Sequence, residues 1–366
     1  MVSFWSTSKF LFLSILILST GAAYLYISYS RGDLSLNKMV SGALASYRER
    51  DDWGNLAEAE KEQSRRLATL KAYCKKNLSM VELSKSKHEG HVYFYDNIKT
   101  IYCYIPKVGC KTMKLLFYNL EHNETLRLNT DGTAELRPKI DNFTDPKLRR
   151  SGYIHSRGFK TFNHYSKEEV GLRLATYKKI IVVRDPLERL ASAWLGKFVT
   201  LPETSGFLGW TKGLNQRLRK YQESNLTNKS NNVKDEGTFN VTKRVSFRDF
   251  LFSVSKRIII DNEHWMSFSR LCLPCQIDYD FIAHMDTVAS DVRLFVKKYN
   301  ITANEEVLPE QRRRHVHDDN VFNKIYAQVP IEEILPLRET FQEDFDMFGY
   351  SFEQDLIKIL QGKSTG

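Results

Sequence analysis

Residues 177–198 read YKKIIVVRDPLERLASAWLGKF, and the fold turns on this stretch. Ile180, Ile181, Val182 and Val183 are four β-branched residues in succession. The run is too short for a buried helix and suits a central strand. The pattern then switches within two residues. Asp185 can cap the next helix, Pro186 fits its first position, and Glu188 completes an Asp-x-x-Glu capping box. Leu187, Leu190, Ala191, Trp194 and Phe198 recur at helical spacing and predict its buried face. Arg184 is left at the strand's carboxyl end beside a helix amino terminus, where α/β sheets bind anions. Arg189 and Ser192 lie further along that helix. A strand, an arginine, a capped helix and a hydroxyl in this order predict a phosphate grip.

A second stretch repeats the plan. Residues 100–105, TIYCYI, form a β-type run, followed by Pro106-Lys107-Val108-Gly109-Cys110-Lys111-Thr112. A helix then carries Met113, Leu116, Phe117 and Leu120 on one face. Gly109 permits a tight turn, and backbone N–H groups at the helix start face an anion. Lys107 and Lys111 add positive charge. This is no Walker A loop, because no glycine directly precedes Lys111. The two stretches together predict an α/β fold around a parallel central sheet, holding a nucleotide with phosphates at both ends.

The pair IPKVGCKTMK (105–114) and VVRDPLERLASAW (182–194) resembles the 5′- and 3′-phosphate-binding motifs of sulfotransferases that use 3′-phosphoadenylyl sulfate, PAPS. The wording is most similar to the Golgi carbohydrate sulfotransferases of chondroitin, dermatan, N-acetylgalactosamine 4-O and HNK-1 type. The likeness continues through FKTFNHYS (159–166), EHWMSFSRLCLPCQIDYDFI (263–282) and a tail near 322–352, covering roughly residues 95–352. One departure stands out. Lys111-Thr112-Met113 follow the motif's cysteine where the family usually has Thr-Asn-Trp, so the hydroxyl is displaced by one residue.

The resemblance implies the P-loop-like PAPS sulfotransferase fold and assigns expected roles. Lys107 stabilises the leaving 5′-phosphate oxygen, and Pro106 to Thr112 wrap that phosphate. Arg184 and Ser192 grip the 3′-phosphate, and Asp185, Pro186, Glu188 and Arg189 complete the binding motif. His155, between the motifs, is the expected general base, with His264 and His164 as the alternatives. No metal is expected, because fixed cations serve in its place. The expected acceptor is a glycosaminoglycan or glycoprotein glycan, first O4 of N-acetylgalactosamine in chondroitin. The alternatives are an N-glycan terminus, glucuronate, or a silent glycan-binding membrane protein.

The rest of the chain fits a luminal enzyme. At 366 residues with 42% hydrophobic content it can bury a large core, and its net charge of +10 suits a polyanionic partner. Nothing points to nucleic acid. Residues 10–30 carry no charge and are long enough to cross a bilayer, with Tyr24, Tyr26 and Tyr29 at one end. Thr20-Gly21-Ala22-Ala23 leaves a cleaved signal peptide as the rival reading. N-x-[ST] occurs at Asn77, Asn123, Asn142, Asn225, Asn228, Asn240 and Asn300, against about three expected by chance. That density favours a luminal catalytic domain and hence single-pass type II topology, and the resemblance implies the Golgi membrane as its place.

The expected order is a cytoplasmic tail (1–9), anchor (10–30), solvated helical stem (31–90), catalytic domain (91–355) and tail (356–366). Residues 121–152 and 200–243 are polar and sequon-bearing and read as long surface loops, natural places for acceptor contacts. Five cysteines in a secretory lumen would leave one unpaired, and Cys110 in the phosphate loop is the expected odd one. Cys74, Cys103, Cys272 and Cys275 then allow three pairings. Cys272-x-x-Cys275 with His264 and His284 can also be written as a zinc site, though its spacing matches no common finger. Arg312 to His317 form the densest basic run, either a solvated patch or a contact for anions.

Overall fold

The β-branched run does form an inner strand of a sheet. A computed structural model describes residues 56–77, 89–128, 134–136, 153–156, 159–200, 205–227, 244–309 and 316–364. The strands are β1 (Val92–Tyr95), β2 (Thr100–Cys103), β3 (Leu126–Leu128), β4 (Ala134–Leu136), β5 (Lys178–Val183) and β6 (Phe281–His284). The longer helices are α1 (Leu56–Lys76), α2 (Cys110–His122), α3 (Lys167–Thr176), α4 (Pro186–Trp194) and α5 (Ser205–Thr227). They continue with α6 (Phe247–Ser255), α7 (Val288–Lys298), α8 (Val316–Ala327) and α9 (Phe352–Ser364).

The central sheet has the order β1-β2-β5-β6, with β3 and β4 as a separate hairpin. β2, β5 and β6 are parallel, and β1 is an antiparallel edge strand, so the sheet is parallel except at that one edge. Ile180 to Val183 are fully buried, as a strand covered on both faces requires. Because β2 and β5 are parallel neighbours, the loops after Cys103 and Val183 emerge at one end of the sheet. That end is where open α/β sheets bind ligands. The Asp185 carboxylate accepts from the Glu188 N–H at 3.0 Å and starts α4. Glu188 does not close the expected box, because its carboxylate turns to Arg184 at 3.2 Å.

Residues 58–366 form one compact unit, and three expectations of organisation change with it. α1, expected in a solvated stem, lies on the sheet. Gln63 exchanges hydrogen bonds with the backbone of Ile282, and the buried Arg66 pairs with Asp291 at 2.8 Å. The expected tail belongs to α9, whose Phe352, Asp355 and Ile359 are buried along one stripe. The loop expected over 200–243 contains α5, held by Leu214 and Leu218 in the main apolar cluster. The apolar run 10–30 lies outside the described residues, as do Arg312 to His315 and the sequons at Asn142, Asn228 and Asn240. Among the described residues no helix is long and apolar enough to cross a membrane.

Two disulfides fix the pairing, Cys74–Cys275 and Cys103–Cys272, and Cys110 is free. Cys272 and Cys275 therefore hold different elements, α1 and β2, and have no thiolates to offer zinc.

Candidate active site

The loop after β2 is built for an anion. Lys107 and Gly109 both adopt the left-handed region, with φ of +75° and +72°. Gly109 is the N-cap of α2 and supplies no side-chain cap, so the first N–H groups of the helix lack a capping side chain. A Cβ at Gly109 would lie 3.1 Å from the Met285 sulfur, so glycine serves both the turn and the packing. Val108 is buried beneath the loop, while Lys111 and Thr112 are exposed on the first turn of α2.

The loop after β5 is tied to it. Arg184 donates to the Lys107 carbonyl at 3.4 Å while paired with Glu188, and remains half-buried at the site. Ser192 is half-buried on α4. Arg189 is placed differently from a phosphate ligand. It is buried, and its guanidinium donates to the carbonyls of Pro106 (3.1 Å), Met266 (2.6 Å) and Glu263 (2.8 Å). Asp185, Pro186 and Glu188 are also buried and shape the helix start. These four residues position the motif.

Two cations that the sequence did not single out, Lys114 and Lys197, join Lys107 here. Burial lowers the Lys107 ammonium to about 8, with Lys197, Arg184 and Lys111 adding like-charge repulsion. The Lys107 amine lies against Gly196, in the π-helical turn Leu195–Val199 that extends α4. Lys197 of the same turn stands 4.8 Å over the Trp210 ring, and burial lowers its pKa. Lys114 is buried 3.6 Å over the Tyr104 ring, with Tyr93 and Phe159 at 5.0 and 5.4 Å. Burial also brings it to about 8. An ammonium on an aromatic face keeps part of its charge stabilisation after losing water.

His155 meets Lys114, with Nδ1 at 3.3 Å from Nζ. A charged ammonium only donates, so Nδ1 accepts and the proton of the neutral ring sits on Nε2. Its pKa lies near 4, through desolvation first and then Lys114, Lys111 and Lys197. Since the residue is exposed, the neighbouring cations are the firmer cause. In this state His155 offers a donor, which does not suit the expected base. His164 is a local cap, taking the Thr161 N–H on Nδ1 at 3.1 Å.

The segment 261–266 closes the other side. His264 Nδ1 lies 2.9 Å from Asn262 Oδ1, and its ring stands edge-on to Trp210 at 5.5 Å. Glu263 lies 3.4 Å from His91 Nε2 and 3.8 Å from His264 Nδ1. Beyond Trp210 opens a cavity of about 470 Å³, lined by Phe198, Leu214, Arg217, Asn262 and Trp265 among others. Gly209 and Gly213 of α5 face it, and a Cβ at either would meet nothing within 4 Å.

Two anion-ready loops side by side at the carboxyl ends of parallel strands, with a cavity nearby, are the arrangement in which α/β proteins bind phosphorylated ligands. The sulfotransferase family profile matches residues 90–351, and the chain belongs to that family. Carbohydrate sulfotransferase 12 of Xenopus laevis is 28% identical over 74% of this chain and 62% of its own length. Carbohydrate sulfotransferase 11 of Rattus norvegicus is 28% identical over 71% of this chain and 67% of its own. Carbohydrate sulfotransferase 14 of Danio rerio is 24% identical over 85% and 78%. The match thus spans just under two thirds of the Xenopus protein. No solved structure matches the chain significantly.

Proposed function

We propose that this chain is a PAPS-dependent carbohydrate sulfotransferase, with O4 of N-acetylgalactosamine in chondroitin as its acceptor. The observation that carries the reading is the convergence of the Lys107 amine, the uncapped start of α2 and Arg184 at the ends of β2 and β5. Such a set suits a nucleotide with phosphates at both ends. Bound PAPS supplies a sulfuryl group on a phosphate leaving group. The α2 N–H groups and the Pro106–Thr112 loop hold the 5′-phosphate, and Arg184 with Ser192 holds the 3′-phosphate. Lys107 faces the oxygen that gains charge as the sulfur–oxygen bond breaks, so its ammonium binds the transition state more tightly than the ground state. Lys114 and the Nε2–H of His155 offer further donors to the transferring group.

The cavity beside Trp210 takes the acceptor sugar. An indole wall with Asn262 at its rim matches a pyranose, which is apolar on its faces and polar at its edge. Arg217, exposed at the wall, suits the carboxylate of a neighbouring uronate and favours a glycosaminoglycan over a neutral N-glycan end. The seven sequons and the apolar run 10–30 support a type II Golgi membrane protein with this domain in the lumen.

The test is radiolabel transfer from PAPS by the full chain to desulfated chondroitin, followed by disaccharide analysis. Label on O4 that falls about 10²–10³-fold in Lys107→Ala is the expected outcome, as for loss of one transition-state donor. Label on another glycan alone would overturn the acceptor. Absence of both transfer and PAPS binding would overturn the enzyme reading.

A further inference from the structure

We propose that His264 is the general base, taking the proton of the acceptor hydroxyl on Nε2. The inference rests on the sulfotransferase reading above and assigns it a base other than His155.

The tautomer follows from a donor whose role is fixed. The backbone N–H of His264 donates to Asn262 Oδ1 at 3.0 Å, and a backbone N–H can only donate. That side-chain atom is therefore the amide oxygen. The same oxygen lies 2.9 Å from His264 Nδ1, so Nδ1 carries the ring proton. The lone pair of the neutral ring is then on Nε2, and among the described residues no hydrogen bond or ion pair engages that atom. The other histidines considered differ. His155 presents Nε2–H because Lys114 occupies Nδ1. His91 donates from Nδ1 to the Tyr104 carbonyl at 2.8 Å and turns Nε2 to Glu263. His164 gives its lone pair to the Thr161 N–H.

Location agrees. The carbonyls of Glu263 and Met266 flank His264 in sequence, and both accept from Arg189, which also holds the Pro106 carbonyl next to Lys107. One buried guanidinium thus fixes the base relative to the lysine that faces the leaving group. The His264 ring also meets Trp210, a wall of the proposed acceptor cavity. A hydroxyl at the inner end of that cavity loses its proton to Nε2 as its oxygen bonds to sulfur. The electron pair of the breaking sulfur–oxygen bond leaves on the 5′-phosphate, and the imidazolium later returns its proton to water.

The electrostatics fit a base that waits for the donor. Burial comes first, then Lys197, Lys107, Arg189 and His155, in holding the ring near pKa 3, with the Glu263 carboxylate 3.8 Å away as the nearest opposing charge. The ring is neutral across the pH range of a secretory lumen. A bound polyanionic donor offsets the same cations and raises its basicity when the proton must move.

The test uses the full chain with His264→Ala, His264→Gln, Asn262→Ala and His155→Gln. Sulfate transfer and the Kd for adenosine 3′,5′-bisphosphate are measured on each. With His264→Ala, kcat is expected to fall about 10²–10⁴-fold, with Kd changed little and imidazole restoring part of the rate. His264→Gln falls likewise without recovery by imidazole. Asn262→Ala lowers kcat less, by a factor that stays the same across neutral pH, because the share of the neutral ring in the wrong tautomer does not depend on pH. A His264→Ala enzyme within a few-fold of wild type overturns the proposal, as does loss of nucleotide binding in step with kcat. His155→Gln losing the whole rate while His264→Gln keeps it would return the base to His155. A wild-type chain that neither binds the nucleotide nor transfers sulfate fails the underlying reading instead.

Discussion

Lys114 illustrates how much of the chemistry rests on single cations held against their preference. Its ammonium is out of water, cushioned by Tyr104, and set against the one lone pair of His155. Lys107 is displaced in the same direction, and both titrate near 8 in the free protein. The sign is simple. Above that pH each loses a positive charge, and an anionic donor binds more weakly. A kcat/KM profile in PAPS should therefore fall on the alkaline side from about pH 8, since kcat/KM reports groups of the free enzyme. The same contact makes a second expectation about His155, whose pKa near 4 lies below the ordinary 6.5. In Lys114→Met the nearest cation is gone, so the imidazole pKa should rise toward 6.5 while Lys111 and Lys197 keep it from arriving there. An NMR titration of His155 reads the shift. An unchanged value would mean that the Lys114 charge has no part in setting it.

At the scale of elements, the π-helical turn after α4 is as consequential as the phosphate loops. Gly196 leaves room there for the Lys107 amine, and a methyl group in its place would press on that amine. The side chain yields easily, so the fold loses little. The atom that yields is the one proposed to meet the leaving group. Gly196→Ala should keep its Tm within a degree or two of wild type, yet lose about 10²-fold in kcat, the scale of a 1 Å misplacement. Thermal melts and steady-state rates on one preparation check both halves. The helix bearing this turn was legible from the sequence, because Asp185, Pro186 and the Leu187–Leu190 stripe are local signals. The turn itself was not, since its role depends on a lysine 89 positions away. α5 was missed for another reason. Gly206, Gly209 and Gly213 dilute its helical signal, and Leu214 with Leu218 makes a short stripe. α1 hid differently, binding the sheet through Gln63 and Arg66 rather than through apolar spacing. Lys107, Arg184 and Ser192 could be read because motifs carry them. Lys114, Lys197, Asn262 and the bracing role of Arg189 become visible only when distant segments meet.

For the whole molecule, the net charge of +10 and a cavity wall bearing Arg217 would set two ranges of interaction with the proposed polyanionic acceptor. Contacts in the proposed donor site would be short and partly dehydrated, so mobile ions would screen them weakly. The general field around the chain is different. It acts across water over distances that salt screens, with a Debye length falling from about 10 Å at 0.1 M to about 3 Å at 1 M. A chondroitin polymer carries charge far beyond the few sugars that fit a 470 Å³ cavity, and feels that outer field along its length. A tetrasaccharide feels mostly the cavity. Raising salt from about 0.05 to about 0.3 M should therefore raise KM for the polymer severalfold, with a much smaller rise for the tetrasaccharide and little change in kcat for either. Parallel kinetics on the two acceptors measure the difference. Equal salt dependence would confine acceptor recognition to the cavity and leave the basic surface with no part in it.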